Sequence, residues 1–446
     1  MGYHIRMKIA VLGYGAQGKA AVSYWDKGND ITVCDQNTEL QLPAGVASQL
    51  GNNYLRDLER FDLIIRSPSV HPNDIIKANT PRIVRKITSV TEEFFRVCPA
   101  PIIGVTGTKG KGTTSTLITK ILEAAGKKVH LGGNIGIPPL SMLANQITPN
   151  DWVVLELANF QLIDCGVSPH IAVCLMVVPE HLDWHHNIKE YIHAKQNIFR
   201  HQSFDDLAIF NRANDLSMEV AEVSPALKQS YEVPEIDQKP QDRNGAYVLG
   251  TEIFMDDEKI CDVSDVKLLG RHNLQNVCAA IVATWNIIGN NPSIIKKVVS
   301  EFTGLPHRLE LVREVNGVKY YDDSFGTNPN TAIVAIKSIE NPKILIVGGS
   351  DKGAEFGELA TAIKQNNVKA VVQIGQMGPI ISAELTKIGY TNIHDGGKDM
   401  DSIIQVASNL AESGDAVLLS TACASFDMFK DYIDRGQQFN KTVNSL

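Results

Sequence analysis

Apolar runs of strand length alternate with helix-length amphipathic segments through most of the chain, the pattern of βα units stacked into parallel sheets. The predicted fold class is α/β. A strand over residues 8–12 leads into a glycine turn, a helix over 17–27 and a second strand over 30–34 that ends at Asp35. A third strand, 63–65, runs into Arg66-Ser67-Pro68-Ser69. Pro99 and Pro101 bracket a break before a fresh strand at 102–105, and a module boundary is placed there. The segment 223–250 is polar, carries Pro225, Pro234 and Pro240, and reads as irregular, whereas 247–261 alternates like a hairpin region. A second boundary falls near Gly304-Leu305-Pro306, followed by strands over 343–347, 370–374 and 416–420 and a final helix from Phe426 to about Asn440. Three modules result, 1–98, 99–304 and 305–446, in line with a length of 446 residues.

Hydrophobic residues at 43% and charged residues at 21% supply several cores and exclude disorder as the main theme. With 42 Lys and Arg against 50 Asp and Glu, the net charge is -8, so no global positive field exists to hold nucleic acid or an anionic membrane. Small anions need local sites. The seven cysteines form no C-x-x-C, which argues against a disulfide framework or structural zinc and fits a reducing, cytoplasmic setting. The longest wholly apolar run, 171–178, is less than half a membrane span, and the N-terminus lacks the apolar stretch of a signal peptide.

Two glycine loops carry most of the chemistry. Gly13-Tyr14-Gly15-Ala16-Gln17-Gly18 follows a strand and opens a helix, with Asp35 at the end of the next strand where a ribose-binding acid sits. Bare backbone there lets a phosphate approach the amides and the positive end of the helix. The second loop runs from Gly104 to Thr114 and resembles a P-loop, in which amides wrap a triphosphate, Lys111 neutralises its outer oxygens and a hydroxyl of Thr113 or Thr114 holds Mg²⁺. The strict pattern fails at Val105 and Gly112. Glu156 ends an apolar strand and needs a cation partner, either Mg²⁺ beside the loop or a plain lysine or arginine. Glu180, His181, Asp183, His185 and His186 follow the apolar run at a sheet edge; His185 and His186 taken alone read as solvated surface. Lys195 on its pattern alone reads as an exposed lysine. Arg308, Asp322-Asp323 and Lys352 occur at loops of the last third, where ligand groups concentrate.

Thr106 to Lys111, Gly132-Gly133-Asn134, Leu155 to Leu162, His181, Ala194-Lys195, Gly270 to Asn273, Gly304 to Arg308 and Leu419 to Asp427 together resemble the Mur ligase family, over essentially the whole chain. Within it, the Leu155-to-Leu162 segment, Ala422 to Asp427 and Arg435 to Phe439 are similar to the members that add D-glutamate. The resemblance implies three domains: an N-terminal Rossmann-like domain, a central P-loop ATPase-type domain with a mostly parallel sheet, and a C-terminal Rossmann-like domain. It implies an ATP-dependent ligase, expected to be a monomer, that joins D-glutamate to UDP-N-acetylmuramoyl-L-alanine through an acyl phosphate. Gly15, Ala16, Gln17, Asp35, Gln36 and Asn134 would meet the UDP substrate. Gly107, Thr108, Lys109, Gly110, Lys111, Gly112, Thr113, Thr114, Asn273, Arg308 and Asp323 would meet ATP. Thr113 and Glu156 would hold one Mg²⁺ and His181 and a carbamylated Lys195 a second, while Lys352, Ser425, Phe426 and Tyr432 would hold D-glutamate. Lys111, Glu156, His181 and Lys195 are then the catalytic set. Departures from the family pattern fall at Lys109, where Asn is usual, at Gly112, which with Thr113 looks more like folylpolyglutamate synthases, and at Ala158, Asn159, Met176, Glu180 and Phe325. Two other classes compete: a redox enzyme that uses the first loop for NAD, and a ligase-like nucleotide-binding protein without turnover.

Overall fold

The computed structural model describes residues 6–134, 136–181, 184–351 and 353–446. Among them the strands form three mostly parallel sheets. In the first, β1 (Lys8–Leu12), β2 (Asp30–Asp35), β3 (Ala47–Leu50), β4 (Leu63–Arg66) and β5 (Ile87–Ser89) lie parallel in the order β3-β2-β1-β4-β5. Chain direction reverses across the sheet between β1 and β4, and the crevice beyond that point is where doubly wound sheets bind ligands. The glycine turn after β1 opens there.

The second sheet contains β6 (Ile102–Thr106), β7 (Val129–Gly133), β8 (Trp152–Glu156), β9 (Ile171–Cys174), β10 (Leu207–Asn211), β11 (Leu227–Glu232), β12 (Gly245–Leu249), β13 (Glu252–Met255) and β14 (Glu258–Asp262). Their order is β14-β13-β12-β11-β10-β9-β6-β8-β7, antiparallel only at β12-β13-β14. β6 is central and buried at every residue, because a parallel strand covered on both faces has no polar side. The third sheet holds β15 (Glu310–Val315), β16 (Val318–Asp322), β17 (Lys343–Gly348), β18 (Val368–Ile374), β19 (Ile393–Asp395) and β20 (Ala416–Leu419), ordered β15-β16-β20-β17-β18-β19. Only β15 runs against its neighbour.

The chain divides into two compact units, residues 1–266 with 274–299, and residues 267–273 with 300–446. The first unit holds two sheets over a shared apolar cluster that runs from Ile9, Val11 and Trp25 through Val90 and Phe94 to Leu140, Val153 and Leu155. Full burial of each such aliphatic or aromatic side chain contributes about 1.5–3 kcal/mol. The second unit has apolar clusters on both faces of its sheet, one around Leu345, Val347 and Leu359, the other around Ile344, Ile346 and Phe439. No helix among the described residues is long and apolar enough to cross a membrane.

Two expected elements differ. Part of 223–250 is not irregular: Leu227–Glu232 pairs in parallel with β10. Its polar sequence hides the strand because only Ser230, Tyr231 and Glu232 are buried. The last helix begins at Tyr432 instead of Phe426, since the Asp431 side chain caps it by accepting the Asp434 amide, and the preceding residues turn through Met428 and Phe429 amides donated to the Ser425 carbonyl.

Candidate functional site

At the first sheet, Gly13 adopts φ +84° and its amide donates to the Cys34 carbonyl, which folds the turn tightly over β2. Gly18 is required: a Cβ there would lie 1.9 Å from the Gly13 carbonyl oxygen. Gly15 caps the helix Ala16–Trp25, with Gly15 and Ala16 exposed and Gln17 half-buried. Asp35 is committed to the turn, its two oxygens accepting the Tyr14 amide at 2.7 Å and the Asn37 amide at 2.8 Å, while Gln36 is exposed beside it. Gln17 reaches the second sheet, donating from Nε2 to the Gly133 carbonyl at 3.3 Å. Asn134, the next residue, therefore neighbours the first glycine turn.

The second loop leaves the end of β6 and enters the helix Lys111–Ala124 at Gly110. Gly107 and Gly110 have φ of +141° and +89°, and an added Cβ would meet Leu175 at 2.7 Å and Asn276 Oδ1 at 2.2 Å. Both positions therefore demand glycine, and the loop is a cradle that side chains would fill. The Lys111 amine curls back on it, donating to the carbonyls of Gly107 and Thr108. Gly112, Thr113 and Thr114 are buried in the first helical turn, and Thr114 donates to Asn276 Oδ1. The Thr108 hydroxyl lies 2.8 Å from the Tyr191 hydroxyl. Lys109 pairs with Glu180 at 2.9 Å, so two positions that depart from the family pattern are partners.

Glu156 ends β8 almost wholly buried and accepts from Asn134 Nδ2 at 2.8 Å. Among the described residues no lysine or arginine forms an ion pair with it, so the plain salt bridge is absent. The segment after β9 is a turn: His181 has φ +57°, and its carbonyl accepts the Trp184 and His185 amides. His181 packs on Phe160 with ring centroids 4.9 Å apart. His185 corrects the surface expectation. It is buried against Trp184, Phe160 and Tyr191, and burial pushes its pKa down. His186 does face solvent. Burial alone would raise the Glu190 carboxyl, yet the His186 amide and ring and the His71 ring hold it down at about 2.

Lys195 corrects the exposed-lysine pattern more strongly. It lies on the inner face of the helix Ile188–Arg200, 1% exposed, because the apolar positions Tyr191, Ile192, Ala194, Ile198 and Phe199 turn that face into the core. Its amine donates to the Gly107 carbonyl at 3.1 Å and sits 4.7 Å from the centroid of the Tyr191 ring. Burial, and after it the charge of Lys111, lowers its pKa to about 7. The first unit thus brings Gly107 to Thr114, Asn134, Glu156, His181 and Lys195 to one sheet edge.

Asn273, Arg308, Asp323, Ser425, Phe426 and Tyr432 belong to the second unit, and Lys352 lies outside the described residues, as does Asp183. Asn273 Nδ2 donates to the Leu269 carbonyl. Arg308 stacks over Phe325 at 5.5 Å, and Phe325 meets Tyr432 edge-on. Asp323 is wholly buried, which raises its pKa to about 7, although Ser420 donates to it at 2.7 Å. Ser425 is buried, whereas Phe426 is 68% exposed with its amide on the Ser350 hydroxyl.

Residues 105–284 match the Mur ligase middle domain and residues 307–423 the Mur ligase glutamate ligase domain. A UDP-N-acetylmuramoylalanine--D-glutamate ligase of Acetivibrio thermocellus is 38% identical, covering 98% of this chain and 96% of the relative. The chain belongs to the Mur ligase family. A ligase of the same name from Clostridium botulinum is 35% identical over 99% of this chain and 97% of its own length. Among solved structures, the Mur ligase fold recurs in the UDP-N-acetylmuramate-alanine ligase MurC of Thermotoga maritima, with TM-score 0.61, 17% identity and coverage of 99% and 100%. It recurs again in the MurF ligase of the same organism in complex with ADP, with TM-score 0.59, 18% identity and coverage of 99% and 96%.

Mur ligases use ATP with Mg²⁺. The donors here fit that ion. Thr113 offers a hydroxyl and Glu156 a buried carboxylate that no lysine or arginine among the described residues pairs with, both hard oxygens near the glycine cradle. Residue patterns alone missed Arg66, Asp164, Tyr191 and Asn276. Only the partner at the far end of each contact gives these residues meaning. Arg66 and Asp164 stand 98 positions apart.

Proposed function

We propose that this Mur ligase is the D-glutamate-adding enzyme of peptidoglycan precursor synthesis, acting as a cytoplasmic monomer with modules 1–98, 99–304 and 305–446. The full-length likeness to D-glutamate ligases carries this reading. The terminal carboxylate of UDP-N-acetylmuramoyl-L-alanine attacks the γ-phosphorus of ATP, ADP leaves, and an acyl phosphate forms. The D-glutamate amine then attacks the acyl carbon, phosphate departs with the bonding pair, and the ammonium proton is lost as the amide forms. All the partners are anionic, so the main task of the protein is to gather and screen charge.

The N-terminal turn, Gly15, Ala16 and Gln17, with Asp35, Gln36 and Asn134, receives the UDP substrate. The loop Gly107 to Thr114 receives the triphosphate, and Lys111 leaves the carbonyls it now caps to meet the outer phosphate oxygens. The family likeness assigns Asn273, Arg308 and Asp323 to ATP, and Lys352, Ser425, Phe426 and Tyr432 to D-glutamate. Thr113 and Glu156 would hold one Mg²⁺, and His181 and a carbamylated Lys195 a second, which would supply charge neutralisation for phosphoryl transfer. Lys195 is suited to carbamylation because a pKa near 7 leaves much of its amine neutral at that pH. The amine nitrogen bonds to the carbon of CO₂, one proton is released, and a cation becomes a carboxylate-like oxygen ligand. The test is phosphate release on a substrate panel. Release is expected only when ATP, UDP-N-acetylmuramoyl-L-alanine and D-glutamate are all present; turnover with a folate and L-glutamate instead would replace this reading with the folylpolyglutamate one.

A further inference from the structure

The Glu190 carboxylate sits where the first two sheets meet and gathers more donors than one surface acid needs. Its Oε2 accepts the His186 amide at 2.8 Å and lies 3.1 Å from His186 Nδ1, 3.4 Å from His185 Nδ1 and 3.4 Å from His71 Nε2. Its other oxygen lies 3.4 Å from Asn73 Nδ2. His71 ends the first sheet's loop after β4 and caps the helix Pro72–Ala78 that carries Asn73; in the same loop the Ser67 hydroxyl donates to the Gly13 carbonyl of the glycine turn. His185 and His186 belong to the turn that carries His181. Glu190 itself begins the helix that carries Lys195, its own amide capped by Asn187.

Ring orientation decides what this cluster is. His71 Nδ1 accepts the Asn73 amide at 3.1 Å, so the neutral ring bears its proton on Nε2, pointed at Glu190. His185 Nε2 faces Asn159 Nδ2 at 2.6 Å, which places its proton on Nδ1, again toward Glu190. Both rings donate. A transition metal at this point would need lone pairs on those same nitrogens and would break the cap of the helix Pro72–Ala78. Rings close the arrangement: His71 lies 4.4 Å from Trp184 and 5.0 Å from His186, and Trp184 lies 4.8 Å from Phe160, which also packs on His181.

We infer that Glu190 is a positioning residue, a hydrogen-bonded clasp that locks the His181 turn to the Lys195 helix and ties both to the loop after β4 through His71. This deepens the proposed reaction and rests on that reading. The clasp accounts for a costly feature, since His181 is held in the left-handed region, which a non-glycine residue keeps only when its surroundings impose it.

The test uses the full chain with Glu190→Gln, Glu190→Ala, His71→Asn and the pair H71N/E190Q. Asparagine at 71 can still cap the Asn73 amide but cannot reach Glu190. Glu190→Ala is expected to lower kcat at least tenfold and raise the Mg²⁺ concentration for half-maximal rate several-fold, with KM for D-glutamate within twofold. His71→Asn is expected to raise KM for the UDP substrate several-fold, and the pair to cost no more than Glu190→Gln alone. Amide hydrogen exchange, which needs no substrate, should show joint loss of protection over 66–73 and 184–190 in Glu190→Gln. An unchanged kcat and Mg²⁺ requirement in Glu190→Ala, additive effects in the pair, or exchange that loosens one segment alone would overturn the clasp. Zinc retained through dialysis by the wild type and lost in His71→Asn would overturn it in favour of a metal site. If the wild type fails to turn over the proposed substrates while the exchange result holds, the functional reading falls and the clasp stands.

Discussion

Arg66 and Lys195 are both cations buried in the first unit, at 0% and 1% exposure, and their surroundings are opposite. The Arg66 guanidinium is saturated. It forks onto Asp164 at 2.7 and 2.5 Å and donates to the carbonyls of Ser67, Val70 and Phe160. Among the described residues Lys195 meets one carbonyl and one ring face, and the charge of Lys111 opposes its own. A saturated buried charge fixes two segments together, whereas an under-paired one is held in a state it can leave, by losing a proton or by changing chemically.

The largest effect that could break this comparison is on turnover. Lys195→Ala is expected to reduce phosphate release about a thousandfold, roughly 4 kcal/mol of barrier, with partial recovery when short carboxylic acids are added to occupy the vacated oxygen-ligand position. The far-ultraviolet spectrum should be unchanged. A rate within threefold of wild type would show that Lys195 is as structural as Arg66.

Arg66→Met tests the other arm. It strands the Asp164 carboxylate and removes the donor from three carbonyls, so a loss of about 3–5 kcal/mol in unfolding free energy is expected from denaturant titration. Adding Asp164→Leu should restore part of it, because the second change removes the stranded charge. Equal stability of Arg66→Met and wild type would mean the guanidinium fixes nothing.

What was legible in the sequence tracks the same division. The glycine turns, the second glycine loop and the central strands are local patterns: β6 is apolar from Ile102 to Val105, and Gly13 and Gly110 sit where chain reversal requires a positive φ. Burial of polar side chains was not legible. Lys195 and His185 look like surface residues because their partners, Gly107 and Asn159, are far away in the chain, 88 and 26 positions off. The strand Leu227–Glu232 failed for a related reason: sheet membership came from β10 beside it and not from its own composition. At the C-terminal helix, a start at Phe426 missed the side-chain cap of Asp431, a short-range signal that was present and readable.

Acidity sharpens the comparison further. The Lys195 amine titrates near 7 in the folded chain against 10.5 ordinarily. Between those values the unfolded chain holds a proton that the folded chain lacks, so this group's contribution makes stability rise from about pH 7 to about 10.5, by up to about 1.4 kcal/mol per unit. Below 7 the full cost of the buried charge is in place. Lys195→Met has no such group and should be more stable than wild type near neutrality in carbonate-free buffer, with the gap closing toward about pH 10. A gap independent of pH would show that the amine is not desolvated.

The smallest effect concerns Lys109 and Glu180, whose side chains are 38% and 32% exposed and 2.9 Å apart. This pair also joins two segments, the phosphate loop and the His181 turn, so by position it resembles Arg66 and Asp164. By solvation it does not. Water competes for both groups, and holding two long side chains in register costs rotamer entropy, so the coupling expected from a double-mutant cycle of Lys109→Asn and Glu180→Gln is only about 0.2–1 kcal/mol. At about 0.5 M salt the screening length falls to a few ångströms and the coupling should shrink toward zero. Lys111 and the amides of the loop would then carry nucleotide affinity, and the two single variants should bind ATP within about threefold of wild type. A coupling above about 2 kcal/mol that survives salt would place this exposed pair with the buried one, and solvation would no longer be the property that sorts the cations of this enzyme.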